Sequence, residues 1–518
     1  MATQRLPVSE FFEQNKSGAS RWVKIALLVL AAVVAAAGTL LAIKWPFTPQ
    51  SVRESLQQAT ATRVHIGSLK AEYFPHPGCV AREITFLAKP GAAQPLMTIS
   101  TLTVRATYWG LFTKHIKLLR ADHAHIALPP FGSGQSLGGK NQNGTVIDLL
   151  VADGTVLDVL PKNTRERPTR FVLPRFELRG LGGDRRLSFQ AIVNTPKPPG
   201  TVAASGTFGP WKTGNAESTP VSGRYTFQHA KLAVFRGISG TLASQGKFQG
   251  SFHQLQIQGT TATPDFEAAN SGHRFQLNTQ FRALVDATNG DVVLQNVAAL
   301  LGHTTIAAQG RIASTPPGRG KTVDLNFAVE DGRIEDVLLL FVKDKRAPLM
   351  GQTSFRAHVM LPPGPQPFMR KVQLDGEFGI GAARFTSLKT ENSVTELSLR
   401  ARGQKESVKE DPERVLSNLR GRVALKNGVG QFTNLKFDVP GARARMQGTY
   451  TLVNDRINLH GLLYMQAKLS NATSGIKSFL LKALGPFLKS NHRGEVVPVS
   501  ITGTYNHPSY HISPQSRK

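Results

Sequence analysis

Two-residue alternation of apolar and polar side chains recurs along this chain and sets what it can fold into. Leu102, Val104 and Ala106 alternate in TLTVRA, and Leu187, Phe189, Ala191 and Val193 in LSFQAIV. Val323, Leu325, Phe327 and Val329 alternate in VDLNFAV, and Leu397, Leu399 and Ala401 in ELSLRA. A period of two places successive side chains on opposite faces, so each stretch predicts a strand with one apolar and one polar face. With 48 Gly and 31 Pro punctuating 518 residues, the pattern predicts many short antiparallel strands.

A looser repeat accompanies the alternation. A glycine is followed two residues later by an aromatic or aliphatic side chain in Gly206-Thr-Phe208, Gly223-Arg-Tyr225, Gly246-Lys-Phe248, Gly310-Arg-Ile312, Gly376-Glu-Phe378, Gly421-Arg-Val423, Gly448-Thr-Tyr450 and Gly503-Thr-Tyr505. Glycine within a strand marks a bend or bulge, so a regular supply suits a curved, twisting sheet. Three short amphipathic helices are predicted. The first opens at Thr48-Pro49, a capping residue followed by a first-turn proline. The others lie near 334–343 and 474–489. In the last, Ile476, Phe479, Leu480, Leu484, Phe487 and Leu488 gather among lysines, a pattern of a helix packed on its own sheet or, alternatively, of a membrane-surface helix.

One segment departs from the β pattern. Ile25 to Ile43 is 19 residues without a charge, a helix of ~28 Å, close to the hydrocarbon thickness of a bilayer. Trp22 and Trp45 flank it, where indoles favour the headgroup region. A cleaved leader is the competing reading, with Ala35-Ala36-Ala37 as its small-residue site. The apolar run continues past that site to Lys44 and Trp45, which favours an uncleaved anchor built from Trp22, Ile25, Leu28, Leu30, Val34, Leu41, Ile43 and Trp45. The expected topology is a short cytoplasmic tail (1–21), the anchor (22–45) and the rest outside the cytoplasm.

Charge then acquires a direction. The chain holds 62 Lys+Arg against 34 Asp+Glu, a net charge of +28, and such an excess points to a polyanion. Beyond a membrane, that polyanion is lipid headgroup or glycolipid phosphate rather than nucleic acid. The excess is uneven: residues 161–240 hold 13 basic and 4 acidic residues, whereas 241–320 hold 5 and 4. Arg165, Arg167, Arg170, Arg175 and Arg179 in the basic stretch are therefore candidate contacts for anionic headgroups, with solvated strand faces as the simpler alternative.

Signatures of catalysis fail on context. Gly134-Gln-Ser136-Leu-Gly138 fits the spacing of a nucleophile elbow, but loop sequence surrounds it where a strand and a helix are required. Gly134 to Asn141 and Thr315 to Thr322 approach a phosphate loop; the first lacks its Ser or Thr, and a strand pattern follows Lys321-Thr322 where a helix must begin. His123 and His125 form half a metal site with no third ligand nearby. The single cysteine, Cys79, excludes an internal disulfide and reads as a small buried hydrophobe. No enzyme activity and no cofactor are expected.

Several stretches resemble the AsmA-like family of envelope proteins. In Ala61 to Phe86 the matching pairs are Arg63-Val64, Ile66-Gly67, Phe74-Pro75 and Pro77-Gly78; Ile99 to Pro129 fits the paired strands that follow. Ala347 to Gly364, Leu374 to Phe385 and Ile476 to Tyr505 are similar to the family's C-terminal region. The resemblance implies an inner-membrane anchor in a diderm bacterium and a mainly β periplasmic body. That body would be an elongated, curved, repeat-like antiparallel sheet whose hydrophobic groove binds or transfers phospholipid in outer-membrane biogenesis. On that implication Val323, Leu325, Phe327 and Val329 are candidate groove-lining residues. The expected layout is an N-terminal β region (46–131), a flexible linker (132–144), a middle sheet region (145–320) and a C-terminal β region (321–518). Expected partners are the inner membrane, phospholipid or lipopolysaccharide, and outer-membrane assembly proteins. A scaffold that assists outer-membrane protein assembly or envelope integrity without carrying lipid is the alternative.

Overall fold

The computed structural model describes residues 45–88, 95–129, 144–161, 167–182, 186–210, 218–235, 237–268, 271–314, 320–342, 345–347, 349–386, 417–439, 442–465, 496–504 and 507–512. Most of the expected anchor, Arg165, residues 132–143 of the linker, the ELSLRA stretch and the 474–489 helix lie outside these residues. Among the described residues no helix is long and apolar enough to cross a membrane.

The described chain is mainly β and forms one long, curved, unclosed sheet. Its strands are β1 (Arg63–Glu72), β2 (Gly78–Leu87), β3 (Met97–Ala106), β4 (His115–Leu128), β5 (Val146–Val159), β6 (Thr169–Leu181), β7 (Leu187–Pro196) and β8 (Pro199–Phe208). There follow β9 (Pro220–Lys231), β10 (Ile238–Ser239), β11 (Thr241–Ser251), β12 (Leu255–Ala268), β13 (Arg274–Asp286), β14 (Asp291–Leu301), β15 (Thr304–Ser314) and β16 (Lys321–Arg333). The last are β17 (Leu349–Leu361), β18 (Gln373–Phe385), β19 (Ser417–Lys426), β20 (Val429–Val439), β21 (Ala442–Thr451), β22 (Arg456–Met465), β23 (Val496–Thr504) and β24 (His507–Ile512). Helices are few: α1 (Pro49–Thr60), α2 (Tyr108–Thr113), α3 (Ile334–Leu338) and α4 (Phe368–Lys371).

Nearly every strand pairs antiparallel with its sequence neighbour. The two-residue β10 is the exception in order, pairing with β12 while β9 pairs directly with β11. A correction to the all-antiparallel expectation comes at β4 and β5, which pair in parallel. Parallel neighbours need a crossover rather than a tight turn, and the residues joining these two strands are too many for a hairpin. Elsewhere local turn chemistry serves: Asn427 and Gly428, both at positive φ, join β19 to β20 as the two-residue turn whose twist matches that of its strands. The register also runs unbroken from β15 to β16 across the expected break at 320.

Local signals explain the first helix. The Thr48 hydroxyl accepts from the Ser51 amide at 3.2 Å, Pro49 opens the first turn, and Ala61 closes the helix in the left-handed region. Val52 and Phe47 bury against Val64, Ile66, Cys79, Ile84, Phe86, Ile99, Leu102 and Val104 of the first three strands. Of the described helices, α1 is the longest that packs on the sheet. The 334–343 helix is shorter than expected: α3 proper ends at Leu338, then tight turns donated by Leu340 and Phe341 carry the coil to Val342. Its start is fastened by Asp336, whose Oδ2 accepts from the His303 amide and the Thr304 hydroxyl, each at 2.9 Å.

The Gly-X-aromatic repeat acquires a physical meaning in three dimensions. A Cβ on Gly223 would stand 2.7 Å from the Phe248 ring, and one on Gly246 2.9 Å from the Tyr225 ring. At these glycines the missing side chain leaves room for the ring of the neighbouring strand. A side chain there would collide with both the ring and the adjacent backbone.

Candidate functional site

Residues directly opposite one another in paired strands share a face, so register traces each face through the sheet. One row begins at Ala71 in β1 and passes through Cys79, Val104, Leu119, Leu150, Leu178 and Phe189. It continues through Gly206, Gly223, Phe248, Ile257, Ala283, Leu294, Gly310 and Leu325. It ends through Val359, Leu374, Leu425, Gly430, Tyr450, Ile457 and Gly503 in β23. Twenty-two strands contribute one residue each, and none is charged or an amide. At ~4.8 Å per strand step the row follows the sheet for roughly 100 Å.

Val323, Leu325, Phe327 and Val329 all lie on this face. Phe327 pairs with Ala308 on one side and Ala357 on the other, so its ring supplies the local apolar bulk between two small neighbours. Val329 is buried, while the other three are half-buried. The row is buried at Cys79 and Val104, in the cluster that α1 closes, and mostly half-buried from β7 onward. Among the described residues the extensive α-helix contacts are those of α1 on β1, α2 on β4 and α3 on β17, while Phe368 of α4 lies against Gly237 beside β10.

The opposite face is polar with the same regularity. Glu177, Gln190, Ser205, Arg224, Lys247, Gln258, Arg282 and Asn296 form one paired row on it. They line a trough of about 1160 Å³ across β6 to β14. This trough is on the hydrophilic side, not over the apolar row. Arg224 and Lys247 stand directly opposite each other, a like-charge pairing that sequence patterning did not single out.

The candidate headgroup arginines are exposed but mostly engaged. Arg170 grips Asp158 with two hydrogen bonds of 2.8 Å, and His125 Nε2 lies 2.8 Å from the same carboxylate. Arg175 and Arg179 share Glu177, at 2.6 and 3.4 Å. Of the described candidates only Arg167 has no such carboxylate partner. Asp158 is buried, and the Arg170 hydrogen bonds hold its carboxyl down at about 2, against the opposing effect of burial. A carboxyl held below its unfolded value stabilises the fold above that value and loses the contribution as pH falls toward the folded one. Arg170→Ala is therefore expected to loosen β5 and β6 at neutral pH and to flatten their acid sensitivity between pH about 4 and about 2. Amide exchange of these strands across that range checks it; an unchanged acid response would assign the sensitivity elsewhere.

Among the described residues, the other singled-out side chains are held by the fold. Cys79 is fully buried in the apolar row, and burial, with a smaller push from Glu72, raises its thiol to about 12, so it stays protonated. Lys321 opens β16 and donates to Asp291 Oδ1 at 2.7 Å and to the Asn289 carbonyl at 3.0 Å. His123 adopts positive φ in a break of the β4 alternation, its ring against Gly154, while His125 turns to Asp158. No group of three or more metal-ligating side chains gathers among the described residues. Ser136 lies outside them. Comparison of the chain with protein-family models, with curated proteins and with solved structures finds no match.

Proposed function

We propose that this is a membrane-anchored, non-catalytic AsmA-like protein of the periplasm, which binds or transfers phospholipid along its apolar sheet face in outer-membrane biogenesis. The observation that carries the proposal is the uncharged row through twenty-two strands, half-buried over most of its length. An apolar face of this extent is unstable in water and requires a cover. Acyl chains suit it because they are apolar and shape-tolerant, and because a row without charged or amide side chains offers few directional contacts to a folded partner. Its length along the sheet exceeds one bilayer, which suits movement of lipid away from the anchoring membrane. The uncleaved reading of residues 22–45 supplies that attachment.

A face-specific photo-crosslink tests this directly. A photoreactive amino acid at position 327 of the full-length chain, irradiated in cells, is expected to give phospholipid adducts by mass spectrometry. The same group at 326, one residue along and on the polar face, is expected to give at least tenfold fewer. Equal yields at the two positions would remove the apolar face as the lipid path. The scaffold reading draws on a different observation, the outer edges of β1 and β24, which pair with no further strand among the described residues and offer backbone groups for an added strand from a partner. Absence of lipid adducts together with protein adducts at either edge would favour it.

A further inference from the structure

The first turn of the sheet and the helix after β3 expose an aromatic cluster. Tyr73 and Phe74, just beyond β1, are 61% and 85% exposed, and Trp109 and Phe112 of α2 are 76% and 71% exposed. The two segments are tied together, since the Tyr108 hydroxyl donates to the Tyr73 carbonyl at 2.6 Å. Trp109 and Phe112 are three residues apart and share one side of α2. The other side is held down through Gly110, where a Cβ would stand 2.5 Å from the His115 carbonyl oxygen. Lys114, immediately after α2, is exposed beside them. Single exposed hydrophobes are ordinary in folded proteins, but several large rings on two joined segments make a patch, and such patches mark interaction sites.

Chain continuity identifies the partner. The Tyr73 ring packs on Trp45 with centroids 4.6 Å apart, and Trp45 meets Phe47 edge-on at 5.5 Å. Trp45 is two residues from Ile43, the end of the 19-residue uncharged run, and two residues span at most about 7 Å. The apolar row begins at Ala71, two residues before Tyr73. The cluster thus lies between the end of the expected anchor and the start of the apolar face.

We propose that Phe74, Trp109 and Phe112 insert into the headgroup–acyl boundary of the bilayer that holds the anchor, so that the sheet stands on the membrane by its β1–β2 end. Aromatic rings are the side chains that favour this boundary, and a neighbouring lysine adds attraction to anionic headgroups. The apolar row then opens at the membrane surface, where a lipid can leave the bilayer without crossing water. This inference rests on residues 22–45 remaining as an anchor, and the experiment separates the two.

The full-length chain is reconstituted into vesicles of phosphatidylethanolamine and phosphatidylglycerol carrying nitroxide-labelled acyl chains. Because Cys79 is fully buried, a thiol-reactive fluorophore reports only an introduced cysteine. Three single variants are labelled: Val34→Cys in the anchor, Phe112→Cys in the cluster, and Val453→Cys in the exposed β21–β22 turn. Quenching at 112 is expected to exceed that at 453 at least threefold, and to fall to the level of 453 when Phe74→Ser and Trp109→Ser are added. Quenching at 34 with none above background at 112 would overturn the docking and leave the anchor standing. No quenching at 34 would overturn the anchor and the docking with it. Self-quenching at 112 without lipid quenching would overturn it too, assigning the cluster to contact between two copies.

Discussion

Phe327→Arg is expected to lower the phospholipid recovered with the purified full-length chain at least tenfold, while Asn326→Arg leaves it unchanged. The two positions are adjacent in sequence and differ only in face. Phe327 is flanked across the strands by Ala308 and Ala357, so removing its ring strips most of the apolar surface at that point. Covering a Phe side chain is worth about 1.5–3 kcal/mol. Placing an uncompensated guanidinium in the path of an acyl chain adds a desolvation cost of at least comparable size. Since about 1.4 kcal/mol is tenfold in an equilibrium constant, the sum passes that threshold. The arginine can fold back toward water along its methylene stem, which sets the upper limit of the effect without restoring the ring's surface. Lipid phosphorus per protein measures the outcome, and Phe327→Leu serves as the conservative control. Normal loading of a folded Phe327→Arg protein would exclude this part of the sheet from lipid contact.

Phe86→Ala is expected to be the most destabilising single truncation, costing about 3–5 kcal/mol, yet to be felt in only one part of the molecule. Phe86 is 1% exposed and packs with Val64, Ile84, Ile99, Val52 and Phe47 in the cluster that α1 closes. The other described helix cover is shorter: Ile334, Val337 and Leu338 of α3 pack with Leu349 and Ile380 of β17 and β18. Strands otherwise make their substantial contacts with their neighbours, so the energetics approach those of a one-dimensional array, in which a lost contact is felt locally. Amide exchange should accelerate across α1 and β1 to β3 and remain unchanged in β19 to β22. Uniform acceleration along the chain would mean that the sheet opens as a single cooperative unit.

The two faces of the sheet were legible in advance because a two-residue period is a local property. In VDLNFAV the alternation alone put Val323, Leu325, Phe327 and Val329 on one side, and the register agrees. The helix at Thr48-Pro49 was legible for the same reason, its cap and first-turn proline being chemistry of adjacent residues. The parallel pairing of β4 with β5 was not, because it depends on which strand edge the chain returns to after a long connection. Nor were the carboxylate partners of the candidate arginines. Asp158 is 12 residues from Arg170, and only antiparallel pairing of β5 with β6 sets them opposite each other. Arg224, Lys247 and Arg282 carry no local signal; strand order assembles them.

By itself, then, the sequence determined that this chain is a string of one-sided strands, because alternation and glycine punctuation act within a few residues. The triplets at Gly223 and Gly246 each supplied both a ring and a vacancy, but not which ring would occupy which vacancy. Tertiary structure decided the rest: that the strands join edge to edge into one unclosed sheet, and that the apolar sides of twenty-two of them align into a single uncharged row. It also decided that the exposed aromatics at 73–74 and 108–112 meet beside Trp45. These outcomes depend on register between distant segments, where a slip of one residue would send every side chain of a strand to the other face.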